Sequence, residues 1–232
     1  MKRNMLSVCC LIVFTASLFS SCIKQDEYQK FLAGGEISYA GRADTVIVRT
    51  GNERAVLFVA LGNDPLVNQV AVYWNNGNDS LVTDVQRSGG GKKDTVEIEL
   101  RPLPQGSYNF RLYTSNSEGS KSVVVNAHGF VYGPDYVATL QNRKLKSMEL
   151  QSDGSLKLVW PSPFVGETGL EFSYNDQSGQ THIHRLPLGE TTAILPDFES
   201  GGELSYKSLF KPDMLSLDDF SPAPTKTTLP EK

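Results

Sequence analysis

The sequence predicts an all-β protein made of two β-sandwiches in tandem, preceded by an export signal. Three observations lead to this fold class. Twenty Gly and twelve Pro among 232 residues, together with many Val, Tyr and Phe, favour strands and turns over helices. Short segments of alternating apolar residues recur with turn residues about every 8–12 positions. The chain is also long enough for two domains of about 100 residues each.

Residues 103–113 contain the clearest element, a strand that begins at Tyr108 after a Pro/Gly corner. Alternation directs Tyr108, Phe110 and Leu112 to one face and the intervening side chains to the other. A tyrosine in this position resembles the tyrosine corner of β-sandwiches, in which its hydroxyl bonds to the backbone upstream. Residues 70–74 are the predicted partner strand. An ordinary hairpin strand with an aromatic first residue is the alternative.

The first sandwich is predicted over residues 34–130. Its seven strands are predicted at residues 45–48, 54–61, 70–74, 80–85, 95–100, 108–113 and 122–127. Seven short strands with this spacing are typical of immunoglobulin-like and fibronectin type III-like sandwiches. Trp74 is expected to be the buried aromatic residue on the third strand.

A linker at residues 131–142 is predicted next, because Gly133 and Pro134 break the strand pattern. Asp135 is expected to cap one helical turn there. The second sandwich is predicted over residues 143–224, with strands at residues 145–150, 156–160, 170–174, 181–186, 192–195 and 204–210. Residues 225–232, which are rich in Pro and Thr, are expected to form a loose tail. No internal repeat is sharp enough to indicate duplication.

The first residues predict a lipoprotein signal peptide over residues 1–21, which makes Cys22 the lipidation site. Two basic residues precede an apolar run at residues 5–19, which is shorter than the about 20 residues of a membrane-spanning helix and suits a secretory leader. Small residues before Cys22 match a lipoprotein processing box, although Phe19 stands where Leu is usual. Acyl chains on Cys22 would anchor the protein, since each buried CH2 group contributes about 0.8 kcal/mol.

The cysteines support this interpretation. The chain has three, of which Cys9 and Cys10 lie inside the leader and Cys22 follows it. A secreted protein stabilised by disulfides would carry cysteine pairs in its mature region. Lipidation of Cys22 is therefore the preferred interpretation, and an ordinary leader followed by an accidental cysteine is the alternative.

Residues 22–33 are predicted to be a tether between the anchor and the first sandwich. The charged run Lys24, Asp26 and Glu27 resembles the surface-export signal of Bacteroides-type lipoproteins, and a simple solvated tether is the alternative. The expected location is therefore the outer membrane, on its cell-surface or periplasmic face.

Four phrases together resemble the Bacteroides-type lipoprotein family known as domain of unknown function 4998, at residues 34–39, 72–77, 103–113 and 129–136. The resemblance covers roughly residues 31–143. It implies a cell-envelope lipoprotein of gut-type bacteria, often found with glycan-acquisition machinery. It assigns no catalytic residue.

The composition argues against nucleic acid as a partner. The chain has a net charge of −4, and no cluster of Lys and Arg supplies the phosphate contacts that carry most of that affinity. An enzyme is not expected either. The adjacent Asp218 and Asp219 are not the separated carboxylate pair of a glycosidase, and neither a nucleophile elbow nor a phosphate-binding loop is present.

Two groups of residues suggest metals only weakly, so no metal and no cofactor is expected. His182 and His184 share a strand face and could chelate, but a zinc site needs about three or four ligands, and exposed strand histidines are the preferred interpretation. The turn that contains Asn75, Asn76 and Asp79 offers oxygen ligands but lacks the spacing of a calcium loop, so a hairpin turn is favoured.

The candidate binding residues are Tyr73, Asn109, Arg111 and Tyr113. If residues 70–74 and 108–113 are neighbouring strands, these side chains lie together on the outward face of the sheet. Two aromatic rings beside amide and guanidinium donors suit stacking on a sugar or anchoring of a protein partner. The alternatives are tyrosines present for β-propensity alone, or packed against the second domain.

These observations predict a non-catalytic envelope lipoprotein, held at the membrane by its lipid anchor. Its predicted role is a glycan- or protein-binding accessory module of a nutrient-acquisition system. The alternative is a structural spacer, in adhesion or in a fimbria-like assembly.

Overall fold

The computed structural model describes residues 38–88 and 94–229. The described residues from Ala40 onward belong to one compact unit, and Ser38 and Tyr39 belong to another. The predicted signal peptide, Cys22 and the tether lie outside the described residues. Within the described ranges, no helix is both long enough and apolar enough to cross a bilayer.

The first sandwich consists of two antiparallel sheets. Its strands are β1 (Ala43–Gly51), β2 (Arg54–Leu61), β3 (Val67–Trp74), β4 (Asp79–Asp84), β5 (Thr95–Leu100), β6 (Gly106–Asn116) and β7 (Val125–Val131). One sheet has the order β1-β2-β5 and the other the order β4-β3-β6-β7. Alternate residues of both sheets, such as Leu57 and Phe110, are fully buried in one apolar core between them. A 3-10 helix, Asn75–Gly77, joins β3 to β4.

The tyrosine corner is confirmed. The hydroxyl of Tyr108 donates a hydrogen bond of 2.8 Å to the backbone oxygen of Pro104. Phe110 and Leu112 follow on the inward face as predicted, and burial raises the pKa of the Tyr108 hydroxyl. This bond ties the start of β6 to the corner that precedes it.

Trp74 differs from the prediction. Its side chain is half-buried and packs against the core, but it is not one of the fully buried core residues. The reason is its position as the last residue of β3, where the chain already turns into the 3-10 helix Asn75–Gly77.

A short helix, α1 (Pro134–Thr139), follows the first sandwich, as predicted from the linker sequence. The predicted cap is wrong, because Gly133 occupies the N-cap position, and it is the side chain of Gln105 that accepts a hydrogen bond of 3.0 Å from a first-turn N–H, that of Tyr136. Asp135 lies in the first turn instead, where a negative charge is favourable beside the unpaired N–H groups.

The second sandwich has the same architecture as the first. Its strands are β8 (Ser147–Leu150), β9 (Leu156–Val159), β10 (Glu167–Asn175), β11 (Thr181–Pro187), β12 (Thr192–Leu195), β13 (Glu203–Phe210) and β14 (Thr225–Thr228). The sheets have the orders β12-β9-β8 and β11-β10-β13-β14. Strand for strand this repeats the order of the first sandwich, although the sequence shows no clear repeat. The core is centred on Trp160.

The prediction of a loose tail from residue 225 is wrong for its first part. Thr225–Thr228 is strand β14, paired antiparallel with β13 from Glu203↔Thr228 to Tyr206↔Thr225. A run of Thr and Lys has no apolar alternation, so no pattern in the sequence indicates a strand there. The remaining predicted domain boundaries stay predictions.

The connection between β13 and β14 contacts the first sandwich. The carboxylate of Asp218 accepts hydrogen bonds from the guanidinium of Arg54, at 2.6 and 2.9 Å, and from the backbone N–H of Asn52 at 2.8 Å. The N–H of Leu217 donates to the oxygen of Thr50 at 2.9 Å. These bonds form a junction between residues that are far apart in the chain.

Aromatic rings complete the junction. The ring of Phe220 lies 5.2 Å from that of Tyr136 and 6.0 Å from that of Tyr132, both in edge-to-face geometry. Such pairs add to the stabilisation that burial of the rings supplies. The two sandwiches are therefore held together by ionic, backbone and aromatic contacts at one place.

Candidate binding face on the first sandwich

The structure brings the four predicted residues together on the outer face of the sheet β4-β3-β6-β7. Strands β3 and β6 pair so that Tyr73 lies opposite Arg111 and Ala71 opposite Tyr113. Asn109 and Arg111 are exposed, and the two tyrosines are half-buried. We call Tyr73, Asn109, Arg111, Tyr113 and the neighbouring Lys121 the aromatic face.

The two tyrosine rings of the aromatic face contact each other. Their centroids are 5.8 Å apart and their planes meet at 84°, an edge-to-face arrangement. The rings sit on adjacent strands at diagonal positions, Tyr73 on β3 and Tyr113 on β6. The contact fixes their orientation on the sheet and leaves part of each ring accessible.

Lys121 is the residue of this face that sequence reasoning missed. Its ammonium nitrogen lies 3.9 Å from the ring centroid of Tyr113 and 5.2 Å from that of Tyr73, within the range of cation–π attraction. Lys121 follows the turn after β6 and bridges to Ser115. The hairpin turn at residues 116–119 was the signal that could have placed it beside β6.

Arg111 is positioned by the 3-10 helix between β3 and β4. A Cβ atom built on Gly77 would lie 2.7 Å from Nη2 of Arg111, so the guanidinium occupies the space that a side chain there would need. Gly77 also has a φ of 91°, which favours glycine. The turn therefore gives Arg111 a defined place at the edge of the aromatic face.

Strand β7 extends the face with polar side chains. Asn126 lies opposite Arg111 and His128 opposite Asn109, and both are exposed. On the other side, the exposed Val82 of β4 lies opposite Ala71. The arrangement places the two rings on the central strands, with the ammonium group over them and with amide, imidazole, guanidinium and aliphatic groups around them.

The two strand histidines lie elsewhere, on β11 of the second sandwich. Nε2 of His182 is 2.8 Å from a carboxylate oxygen of Asp176, and the ring of His184 stacks against Phe172 and Tyr174. Hydrogen bonds from Ser178 and His182 hold the pKa of Asp176 well below its usual range. Among residues 38–88 and 94–229, no three His, Cys, Asp or Glu side chains form a group that could hold a metal.

The acidic residues considered in the sequence have structural partners. Asp218 binds Arg54, whose hydrogen bonds lower the pKa of that carboxyl, and Asp219 forms an ion pair with Arg185. Asp79 accepts a hydrogen bond from the side-chain amide of Asn75 across the 3-10 turn. Asp218 therefore acts in the junction, Asp219 in an ion pair with strand β11, and Asp79 in a hairpin turn.

The fold and the aromatic face define a tandem β-sandwich protein of fibronectin type III-like architecture with an exposed candidate binding surface. The chain belongs to the family described as domain of unknown function 4998, whose model matches residues 22–220. No curated protein matches the sequence.

Similar solved structures contain fibronectin type III domains. The FN1–FN3 domains of chicken CNTN1 are 11% identical, with 84% of this chain and 67% of that chain covered and a TM-score of 0.45. The fibronectin(III)-like modules of Clostridium thermocellum CbhA are 14% identical, with 81% and 94% covered and a TM-score of 0.41. A two-domain segment of chicken tenascin is 13% identical, with 81% and 98% covered and a TM-score of 0.31.

Proposed function

We propose that this protein is a non-catalytic, lipid-anchored binding module of the bacterial cell envelope, and that its aromatic face captures a glycan. The observation that carries the proposal is the pair of contacting tyrosines, Tyr73 and Tyr113, surrounded by hydrogen-bond donors on an exposed sheet. Sugar rings present apolar C–H faces and polar edges, which match aromatic rings beside amide and cationic groups. The module would serve a nutrient-acquisition system.

The proposed anchor is a lipid on Cys22. Its support is the sequence of the first residues, in which a basic start, an apolar run and small residues precede that cysteine. The anchor would place the sandwiches at the outer membrane. The acidic residues after Cys22 favour the cell surface over the periplasmic face.

The non-catalytic part of the proposal is supported by the ion pairs that the acidic residues and His182 form. Asp218 and Asp219 are held by Arg54 and Arg185, and His182 is held by Asp176. Groups held in this way by structural partners are poorly placed to transfer protons to a substrate. Turnover of a polysaccharide by the purified protein would contradict this part of the proposal.

A glycan array with the purified full-length protein tests the binding proposal. The variant with Tyr73→Ala, Arg111→Ala and Tyr113→Ala is expected to lose retention of the bound glycans while its melting temperature stays within a few degrees. The matched control is Arg49→Ala, which removes an exposed cation stacked on Phe58 in the other sheet of the same sandwich. Unchanged retention by the triple variant would remove the aromatic face from the proposal.

Metabolic labelling tests the anchor separately. The wild-type protein is expected to incorporate labelled palmitate and to accumulate as a precursor under a globomycin-type inhibitor, and Cys22→Ala is expected to abolish the labelling. An unlabelled wild-type protein would contradict lipidation without affecting the binding proposal.

A structural spacer is the second candidate, and the junction favours it. Arg54, Asp218 and the ring of Phe220 join the sandwiches through several kinds of contact, as a rigid spacer in an adhesion or fimbria-like assembly requires. Co-purification of a stoichiometric envelope protein, with no glycan retained, would favour this candidate over glycan capture.

A further inference from the structure

We infer that the glycan bound by the aromatic face is anionic, carrying carboxylate or sulfate groups. This inference rests on the proposed function, because it names the chemical class of the ligand for the same face. It follows from the charges on the face and from the position of Lys121 over the rings.

The first observation is that the cations of the face have no carboxylate partner within residues 38–88 and 94–229. Most described arginines have one within 4 Å, namely Arg54, Arg87, Arg101, Arg143 and Arg185. Neither Arg111 nor Lys121 forms an ion pair with any residue in the described ranges. Two unpaired cations therefore lie next to the same pair of tyrosine rings.

The second observation is that no acid lies directly opposite Arg111 or Tyr73 across the strands. Across the strands, Arg111 faces Tyr73 and Asn126, and Tyr73 faces Ser80. The closest acids along β4, Asp79 and Asp84, accept hydrogen bonds from side-chain amides. The charged groups of the aromatic face itself, Arg111 and Lys121, are thus both cations on a chain whose net charge is −4. A local field of this sign attracts anions.

The third observation is that Lys121 covers one face of Tyr113, with its nitrogen 3.9 Å from the ring centroid. A neutral sugar stacking there would have to displace the ammonium group and lose its attraction to the ring. An acidic sugar would instead form an ion pair with Lys121 while its ring contacts Tyr73 or Tyr113. The geometry therefore selects for an anionic ligand over a neutral one of the same shape.

The decisive comparison uses one polysaccharide backbone with and without its charge. Polygalacturonate carries free carboxylates, and highly methyl-esterified pectin carries the same sugars with most of that charge removed. We expect the full-length protein to bind polygalacturonate at least tenfold more tightly in affinity electrophoresis or calorimetry. The difference in affinity should shrink as the salt concentration rises, because the Debye screening length falls from about 10 Å at 0.1 M to about 3 Å at 1 M.

Two charge variants test which residues recognise the anion. Arg111→Gln and Lys121→Gln are each expected to weaken binding of polygalacturonate by about three- to fivefold, the effect of one exposed ion pair, and so to reduce its advantage over the esterified form. Arg49→Gln is the matched control and should change neither, because its cation lies over Phe58 on the opposite sheet. Circular dichroism melts verify that each variant is folded.

Chondroitin sulfate and polyglutamate separate the remaining possibilities. Preference for the sulfated glycan over polygalacturonate would assign the anion as sulfate and support the inference. Polyglutamate bound as tightly as either glycan would overturn it, because the face would then select charge without a sugar. Equal affinity for polygalacturonate and esterified pectin would also overturn it while leaving glycan capture intact. Binding of no glycan at all would overturn the proposed function itself.

Discussion

The two sandwiches have the same strand order, but they differ in whether a cation on the outer face of the four-stranded sheet is paired with an acid. Arg111 on β6 and Lys207 on β13 occupy equivalent positions, because each lies the same number of residues after the glycine at the start of its strand. Lys207 faces Glu171 across the sheet and forms an ion pair of 2.8 Å with it, whereas Arg111 faces Tyr73. The second sandwich neutralises this position internally, and the first leaves its cation available to a ligand.

The two sandwiches also stabilise their strand ends differently. The first uses the tyrosine corner, in which Tyr108 binds the oxygen of Pro104. At the corresponding position of β13 the second sandwich has Leu204, which is fully buried. The second sandwich instead buries an ion pair, with Nε of Arg143 at 3.0 Å and its Nη2 at 2.9 Å from a carboxylate oxygen of Glu167.

This comparison teaches that the shared fold constrains the core and leaves the outer sheet face open to change. Both cores need alternate apolar residues on the strands, whereas an outer face accepts either Tyr73 in the first sandwich or Glu171 in the second. The functional difference between the sandwiches is therefore expected to depend on a few outward positions, and it can be tested there.

The largest effect is expected from the buried ion pair of the second sandwich. Arg143→Met leaves the fully buried carboxylate of Glu167 without its partner, so the free energy of unfolding should fall by about 3–5 kcal/mol in urea titrations. Adding Glu167→Leu should recover a large part of this loss, because no charge then remains buried. A single variant as stable as the wild type would show that the pair does not support this sandwich.

A loss of glycan affinity of at least tenfold is expected when the aromatic face is given the charge pairing found on the four-stranded sheet of the second sandwich. Tyr73→Glu places a carboxylate opposite Arg111, as Glu171 stands opposite Lys207, and it also removes one ring. Glycan binding should fall at least tenfold in calorimetry, while loss of the ring contact with Tyr113 should lower the free energy of unfolding by about 0.5–1.5 kcal/mol. The control Glu171→Gln should leave binding unaltered, and a glycan affinity kept by Tyr73→Glu would contradict the role of the face.

Loss of the tyrosine corner is expected to have a smaller effect. Tyr108→Phe removes the hydroxyl that donates to Pro104, and it should lower the free energy of unfolding by about 1 kcal/mol. The comparison variant is Tyr206→Phe in the second sandwich, whose hydroxyl accepts only a long 3.4 Å bond from the N–H of Leu145. Denaturant melts should show the smaller loss for Tyr206→Phe, and the reverse order would contradict the importance of the corner.

The smallest expected effect is a pH dependence of stability that arises at the junction between the sandwiches. Hydrogen bonds from Arg54 lower the pKa of Asp218 in the folded protein, so its stabilisation is present above the ordinary carboxyl pKa of about 4 and is lost as pH falls through the lowered value. Asp218→Asn should cost up to about 1 kcal/mol at pH 7, and the difference from wild type should shrink between pH 5 and pH 3 in thermal melts. A difference that is constant over this range would exclude ionisation of Asp218 as its cause.

The local parts of the fold were predictable from the sequence. Apolar alternation located β1 to β13 approximately, because most of these strands bury one side in a core; β7, predicted at residues 122–127, begins only at Val125. The same alternation placed Tyr73, Arg111 and Tyr113 on one outward face. Strand β14 was not predicted, because its Thr and Lys side chains carry no apolar pattern. Its pairing with β13 determines the strand instead.

The long-range parts could not be predicted. Asp218 reaches Arg54 across 164 positions of the chain, and no local pattern indicates such a contact. Lys121 joins the aromatic face only because a hairpin returns it to Ser115. Periodicity therefore finds faces and cores, whereas ion pairs between distant loops depend on the completed tertiary structure.

Strand β14 has a practical consequence for handling the protein. A chain shortened to end at Pro224 would leave β13 with one unpaired edge, exposing its backbone N–H and C=O groups and uncovering the core beneath Leu229. Open edges of this kind recruit other chains and lead to aggregation. Purification tags and reporter fusions therefore belong after Lys232, and deletion of the Pro- and Thr-rich end would remove part of the second sandwich.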